Sequence, residues 1–271
     1  MISENKHSGD LVPLPEDLGM DDHLASLRYA GIIQQALMPD NELLKGLFRD
    51  YFVLFLPRDI VSGDFYYVFR SRQQICIAAG DCTGHGVPGA LLSILGISFL
   101  NDILQSKTDH KANRVLNLMR EKVMKALHQT GSSIGTKDSI DIALCILDTG
   151  SGVLQFSGAN RPLIRLREGE LTEFRPDKMT IGVAPLKEQS FTNKQIETRQ
   201  GDSFYLFTDG YADQFGEVTN KKFKHKHLKG VISSLAGKPM DQQKCILDEV
   251  FRNWKGNTQQ IDDVLVFAFQ I

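Results

Sequence analysis

Apolar positions along the chain fall into two kinds of pattern. Over 21–38 they recur at helical spacing, with Leu24, Leu27, Ile33 and Leu37 on one side. Asp21 or Asp22 is available as a cap, and Met38-Pro39-Asp40 stops the run. Residues 51–57 and 65–69 are short aromatic and aliphatic runs that predict strands. Residues 75–79 form a continuous apolar run with β-branched Ile75 and Ile77, which suits a buried strand. A glycine-rich turn follows, then Pro88 in the first turn of a helix, where its missing N–H costs little. That helix carries Leu91, Leu92, Leu95, Ile97, Phe99, Leu100, Ile103 and Leu104, too dense for a surface helix and right for one packed on a sheet. A second helix is predicted over 111–129, with Val115, Leu118, Met119, Val123 and Leu127 on one side.

Beyond it the pattern changes to strands. Residues 140–147 place Ile142, Leu144 and Ile146 on one face, and further strands are predicted over 153–156, 163–166, 191–198 and 203–207. Glu168-Gly169-Glu170 is a hairpin turn. Helices near 226–235 and 240–254 precede a final strand over 264–271. Tight turns demand antiparallel pairing, so the whole is an α+β arrangement with antiparallel sheet. Residues 1–20 are polar, contain Pro13 and Pro15, and read as a mobile tail.

Composition narrows the classes. A chain of 271 residues has room for one large domain with a sizeable core, or for two small ones. A formal net charge of −2 argues against a general nucleic-acid binder. Cys76, Cys82, Cys145 and Cys245 are scattered with no C-x-x-C pair, which disfavours zinc ribbons and a disulfide framework and points to a reducing cytoplasm. No apolar run approaches the roughly 18 residues of a membrane span, and no signal-peptide core is evident, so membrane insertion is not expected. The basic run over 221–229 reads as a solvated face or as a docking patch for an acidic partner.

Gly84-His85-Gly86-Val87-Pro88-Gly89 formally matches the dinucleotide fingerprint. Asp81 would repel a pyrophosphate there, and the acid expected about 20 residues on would be Asp109, which sits in a polar linker and ends no apolar strand. The better reading is a metal carboxylate at a strand end. Asp64, Asp81, Asp209 and the pair Asp262–Asp263 each stand at the rim of an apolar element. Convergence of these on one rim would be strongly repulsive without cations between them. All-oxygen ligands select hard ions, Mg²⁺ or Mn²⁺, and paired ions of that kind activate water for in-line displacement at phosphorus. There is no G-x-S-x-G elbow, no P-loop lysine, and no phosphatase loop around Cys82 to make it a nucleophile.

Five motifs then appear in order: Asp59-Ile-Val-Ser-Gly-Asp64-Phe-Tyr, Gly80-Asp-Cys-Thr-Gly-His-Gly-Val-Pro-Gly-Ala-Leu-Leu92, Ser157-Gly-Ala-Asn-Arg-Pro162, Phe207-Thr-Asp-Gly-Tyr-Ala-Asp-Gln214 and Gln260-Ile-Asp-Asp-Val264. As a set they resemble the SpoIIE-like branch of the metal-dependent PPM (protein phosphatase 2C type) serine/threonine phosphatases, from about residue 29 to the end. The resemblance implies a four-layer α-β-β-α sandwich with two Mn²⁺ or Mg²⁺ ions at one end. It implies that Asp81 bridges both ions, that the Cys82 carbonyl contacts one, and that Asp209 and Asp262 hold the other. Asp64 is implied as a ligand or as acting through a water. Neighbouring strand side chains point to opposite faces, so only one of Asp262 and Asp263 can face the ions, and the resemblance implies Asp262, the first of the pair.

His85 is read as a general acid for the leaving serine oxygen or as a turn residue. This branch lacks the phosphate-binding arginine of the eukaryotic-type enzymes, and no arginine in the motifs is assigned that role. The implied organisation is a tail over 1–20, a linker or regulatory helix over 21–40, and a phosphatase domain over 41–271. The implied substrate is a phosphorylated STAS-domain anti-sigma-factor antagonist in a partner-switching pathway, with a weak homodimer through the N-terminal helix as a further possibility. The competing readings are a catalytically silent partner-binding module and a small-molecule phosphoesterase.

Overall fold

The computed structural model describes residues 20–106, 110–129, 137–183 and 189–271. Its first half runs α1 (Met20–Ala36), α2 (Asn41–Leu47), β1 (Asp50–Leu56), β2 (Asp64–Ser71), β3 (Gln74–Cys82), α3 (Gly86–Gln105) and α4 (Ala112–Ala126). Its second half runs β4 (Ile140–Asp148), β5 (Val153–Ala159), β6 (Leu163–Arg167), β7 (Glu170–Phe174), β8 (Lys194–Glu197), β9 (Ser203–Phe207), α5 (Gly210–Asp213), α6 (Lys224–Ser234), α7 (Met240–Lys255) and β10 (Val264–Gln270). The tail expected over 1–20 lies, Met20 apart, outside the described residues, as does Asp109.

The strands form two sheets, in the orders β1-β10-β9-β6-β7 and β2-β3-β4-β5-β8, with antiparallel neighbours throughout. Side-chain alternation explains how they stack. Ile75, Ile77 and Ala79 of β3 and Cys145 of β4 face the other sheet, where they share a core with Phe267 and Phe269 of β10. The alternate positions Cys76, Ala78, Ile142 and Leu144 pack in the core formed with α3 and α4. On the far side, Tyr205, Phe207, Val264 and Val266 share a core with Leu228 of α6 and Leu247 and Phe251 of α7. The result is helix, sheet, sheet, helix: the α-β-β-α sandwich. Strands β3 and β10 are covered on both faces, which is why their sequences are unbroken apolar runs.

Three expectations change. The strand expected over 191–198 is reduced to β8. Helix α3 is, among the described residues, long and apolar enough to cross a membrane, contrary to the expectation that no such run exists. Half of it is buried, with Leu92, Ile97, Leu100 and Ile103 in the helix–sheet core, so its apolar character serves packing. Finally, α1 docks by a different face. Of the expected seam only Leu27 is even half-buried, while Leu24, Ile33 and Leu37 are exposed. The buried positions are Gly31, Gln34 and Met38. Gln34 acts as a polar key: its amide donates to the Ser62 carbonyl at 2.6 Å and to the Ser93 hydroxyl at 2.8 Å, and accepts from the Ser62 N–H at 3.0 Å. A periodicity of apolar residues cannot reveal a face held by an amide.

Candidate active site

Cross-strand register sets carboxylates in a row. Asp64 opens β2 and pairs with Asp81 of β3, which pairs on its other side with Asp141 of β4. The alternation that turns Ala79 and Ala143 toward the second sheet turns these aspartates the same way. Like charges directly opposite one another are destabilising, so the row calls for a compensating cation.

The second sheet brings Asp209 and Asp262 to the same end. Asp209 follows β9 and immediately precedes α5, and Asp262 precedes β10. These segments touch at Gly210, where a Cβ would lie 1.9 Å from the Asp263 carbonyl oxygen, so only glycine permits the contact. Thr208 ties the two sheets together. Its hydroxyl donates to Asp64 Oδ2 at 2.6 Å and accepts from the Leu265 N–H at 3.0 Å.

At this end the sheets enclose a cavity of about 370 Å³, lined by Asp81, Asp141, Arg161, Asp209, Asp262 and His85, with Cys82, Thr83 and Gly84 along one wall. Asp64 is buried beside Asp81 and does not line it. Asp263 is also withdrawn. It is buried and accepts from the Arg58 N–H at 2.8 Å and the Gly63 N–H at 2.7 Å. The pair lies in a bend before β10 rather than within the strand, so these backbone donors, not strand alternation, separate the two side chains.

Asp141 and Arg161 were not among the residues singled out from sequence. Asp141 carries only the weak signal of one acid between Ile140 and Ile142, and becomes significant through its register with Asp81. Arg161 lies within the motif 157–162. A single nitrogen, Nη2, stands 2.7 Å from Asp81 Oδ2, 2.7 Å from Asp209 Oδ2 and 3.2 Å from Asp141 Oδ2. Asn160 donates to the other oxygen of Asp141 at 2.9 Å.

The electrostatics follow from this crowding. Burial pushes the Asp64 carboxyl well above the usual carboxylate range and the charge of Asp81 pushes it further, against the Thr208 hydrogen bond. Burial likewise raises Asp81, with Arg161 opposing and Asp209 and Asp262 adding to the rise. Burial raises Asp262. Burial disfavours the charge on Arg161, yet Asp81, Asp209 and Asp141 outweigh it and hold the guanidinium protonated. Burial also raises the Cys82 thiol well above its usual value, which leaves it inert as a nucleophile.

These donors fit hard divalent cations. They are oxygens, and Asp81 Oδ2 is buried without a hydrogen-bond donor despite its nearness to Arg161. Among the described residues, no three His, Cys, Asp or Glu side chains form a ready-made metal cage. The guanidinium stands among the carboxylates instead.

His85 stands at the N-cap position of α3 without a side-chain capping hydrogen bond, and its Nδ1 lies 3.2 Å from Asp59 Oδ2. Asp59 is the first residue of the motif that ends in Asp64–Tyr66. The pair gives the imidazole a carboxylate partner on one nitrogen, and His85 lines the cavity.

The family model described as Stage II sporulation protein E (SpoIIE) matches residues 71–271. The chain belongs to the SpoIIE family. The match covers β3 through β10 and so includes every cavity-lining residue named above. The SiaA-PP2C domain of Pseudomonas aeruginosa is 27% identical with a TM-score of 0.84, over 93% of this chain and 98% of that one. The PP2C phosphatase domain of SpoIIE from Bacillus subtilis, with a fragment of its regulatory domain, is 20% identical with a TM-score of 0.64, over 82% of this chain and 63% of that one. The PPM Ser-Thr phosphatase MsPP from Mycobacterium smegmatis, in complex with cacodylate, is 13% identical with a TM-score of 0.57, over 83% of this chain and 99% of that one. The last two show a shared fold. No curated protein matches this sequence. As a SpoIIE-family chain it is a PPM-type serine/threonine phosphatase, a family of metal-dependent hydrolases.

Proposed function

We propose that this phosphatase removes phosphate from phosphoserine or phosphothreonine on a small STAS-domain protein, an anti-sigma-factor antagonist in a cytoplasmic partner-switching pathway. The observation that carries the reading is the convergence of Asp81, Asp141, Asp209 and Asp262 from both sheets on one open cavity. The STAS-domain substrate rests on the resemblance of the motifs to the SpoIIE-like branch.

Asp81, Asp209 and Asp262 would hold two Mn²⁺ or Mg²⁺ ions, with the Cys82 carbonyl as a further ligand and Asp64 acting from behind Asp81. When bound, such ions lower the pKa of water and neutralise the phosphoryl oxygens. His85 would deliver the proton to the departing serine oxygen. Asp59, accepting from Nδ1–H, orients the ring.

A protein substrate is favoured over a small phosphoester by the surface beside the cavity. Ile60, Val87 and Leu91 are 40%, 46% and 65% exposed. A neighbouring depression of about 490 Å³ is lined by Leu27, Ile60, Val61 and Val87, together with the His85 partner Asp59. An apolar depression next to a polar reaction site suits a folded partner whose phosphorylated loop enters the cavity. The test is phosphate release from a phosphorylated STAS-domain protein, compared with p-nitrophenyl phosphate, with and without Mn²⁺. Hydrolysis of the small ester alone would favour the phosphoesterase reading.

A further inference from the structure

We infer that Arg161 is the phosphate-holding residue of this site and that, until divalent ions enter, its guanidinium serves as their internal substitute. The inference rests on the metal-site reading above. Its first support is the place of Nη2, in contact with carboxylate oxygens from β3, from β4 and from the end of β9. The second is that this arrangement leaves hydrogen bonds unmade. Asp81 Oδ2 has no donor and the buried Arg161 Nε has no acceptor. A guanidinium whose final partners were these carboxylates would be expected to use its fork in full.

The loop that carries Arg161 is built to aim it. A Cβ at Gly158 would lie 2.4 Å from the Arg161 carbonyl oxygen, so glycine is needed for the chain to fold back there. Asn160 adopts a positive φ of 56°, a conformation asparagine tolerates better than most residues. Its N–H donates to the Asp177 carbonyl at 2.9 Å, and the Asp177 N–H returns to the Gly158 carbonyl at 2.9 Å. The motif 157–162, which otherwise has no part in the reaction, thereby gains one.

Charge explains why the residue is needed. Asp64, Asp81, Asp141, Asp209 and Asp262, fully ionised, outweigh two divalent ions by one negative charge. A phosphate monoester dianion would then enter a cavity that repels it. Among the described residues that line the cavity, Arg161 is the only lysine or arginine. Released by the entering ions, its fork is free to pair with two phosphoryl oxygens.

The test is calorimetric titration of chelator-treated full chain with Mn²⁺, followed by titration of the Mn²⁺-saturated protein with orthophosphate, for wild type and Arg161→Gln. Loss of a competing cation should tighten Mn²⁺ binding by the variant, and loss of the fork should weaken phosphate binding by roughly tenfold to a hundredfold. Unchanged or weaker Mn²⁺ binding overturns the substitute role, and unchanged phosphate binding overturns the phosphate role. If wild type binds no Mn²⁺, the metal-site reading itself fails. Circular dichroism establishes that the variant is folded. If it is not, Arg161→Lys, which keeps the charge but not the fork, is titrated with the same directions expected in smaller steps.

Discussion

Asp262 and Asp263 are neighbours in sequence with opposite surroundings: Asp262 lines the cavity, while Asp263 is buried and closes on the N–H groups of Arg58 and Gly63. Asp262→Asn should therefore lower kcat strongly and leave folding intact. Asp263→Asn replaces one acceptor oxygen with a donor that faces a backbone N–H, and should cost about 1–3 kcal/mol of stability. Thermal melts and Mn²⁺-dependent turnover of the two variants separate these effects. A stable, inactive Asp263→Asn would transfer the ligand role to Asp263.

The contact between His85 and Asp59 gives a prediction that depends on the leaving group. A general acid matters most when the departing oxygen is strongly basic. His85→Gln should slow phosphoserine hydrolysis by about 10²–10⁴-fold and p-nitrophenyl phosphate hydrolysis much less. Asp59→Asn should follow the same pattern more weakly, since Asp59 acts only through the imidazole. Equal losses on both substrates would return His85 to a role in shaping the turn.

The apolar rim predicts a split between substrates. Leu91→Asp and Val87→Asp alter exposed positions and should not disturb the core. Each should lower kcat/KM on a phosphorylated STAS-domain protein by about tenfold or more, while turnover of p-nitrophenyl phosphate stays near wild type. Parallel behaviour on both substrates would remove the rim from the recognition surface.

Much of this was legible in the sequence, for physical reasons. Fully buried strands write themselves as apolar runs, so β3 and β10 stood out, and aspartates at the ends of such runs are easily noticed. Asp141 stayed hidden because its meaning lies in register with Asp81, and register is a relation between strands. Arg161 lies within the motif 157–162, but a loop residue's direction depends on backbone geometry at Gly158 and Asn160. The docked face of α1 differs from the apolar seam because Gln34 holds it through hydrogen bonds that hydrophobic patterning cannot register.

That docking makes α1 a proposed input to the site. Gln34 grips Ser62, two residues before Asp64, and Ser93 of α3, while Tyr29 and Ile32 are 66% and 61% exposed and available to a partner helix or a second copy. A chain starting at residue 40 should remain folded but change in turnover or in mass by ultracentrifugation. Gln34→Ala should reproduce the change in turnover and leave the mass as it is. If neither variant differs from the full chain, α1 is a passive extension.

The carboxylates at the open end of the two sheets are proposed to form a divalent-ion site that hydrolyses phosphoserine. The most direct test is phosphate release from a phosphoserine protein substrate by chelator-treated chain, before and after Mn²⁺ is restored, for wild type and Asp81→Asn. Wild type should be inactive after chelation and recover with Mn²⁺, while Asp81→Asn should remain at least ~10³-fold slower at saturating Mn²⁺. Full turnover after exhaustive chelation, or near-wild-type turnover by Asp81→Asn, would mean that these carboxylates hold no catalytic ions.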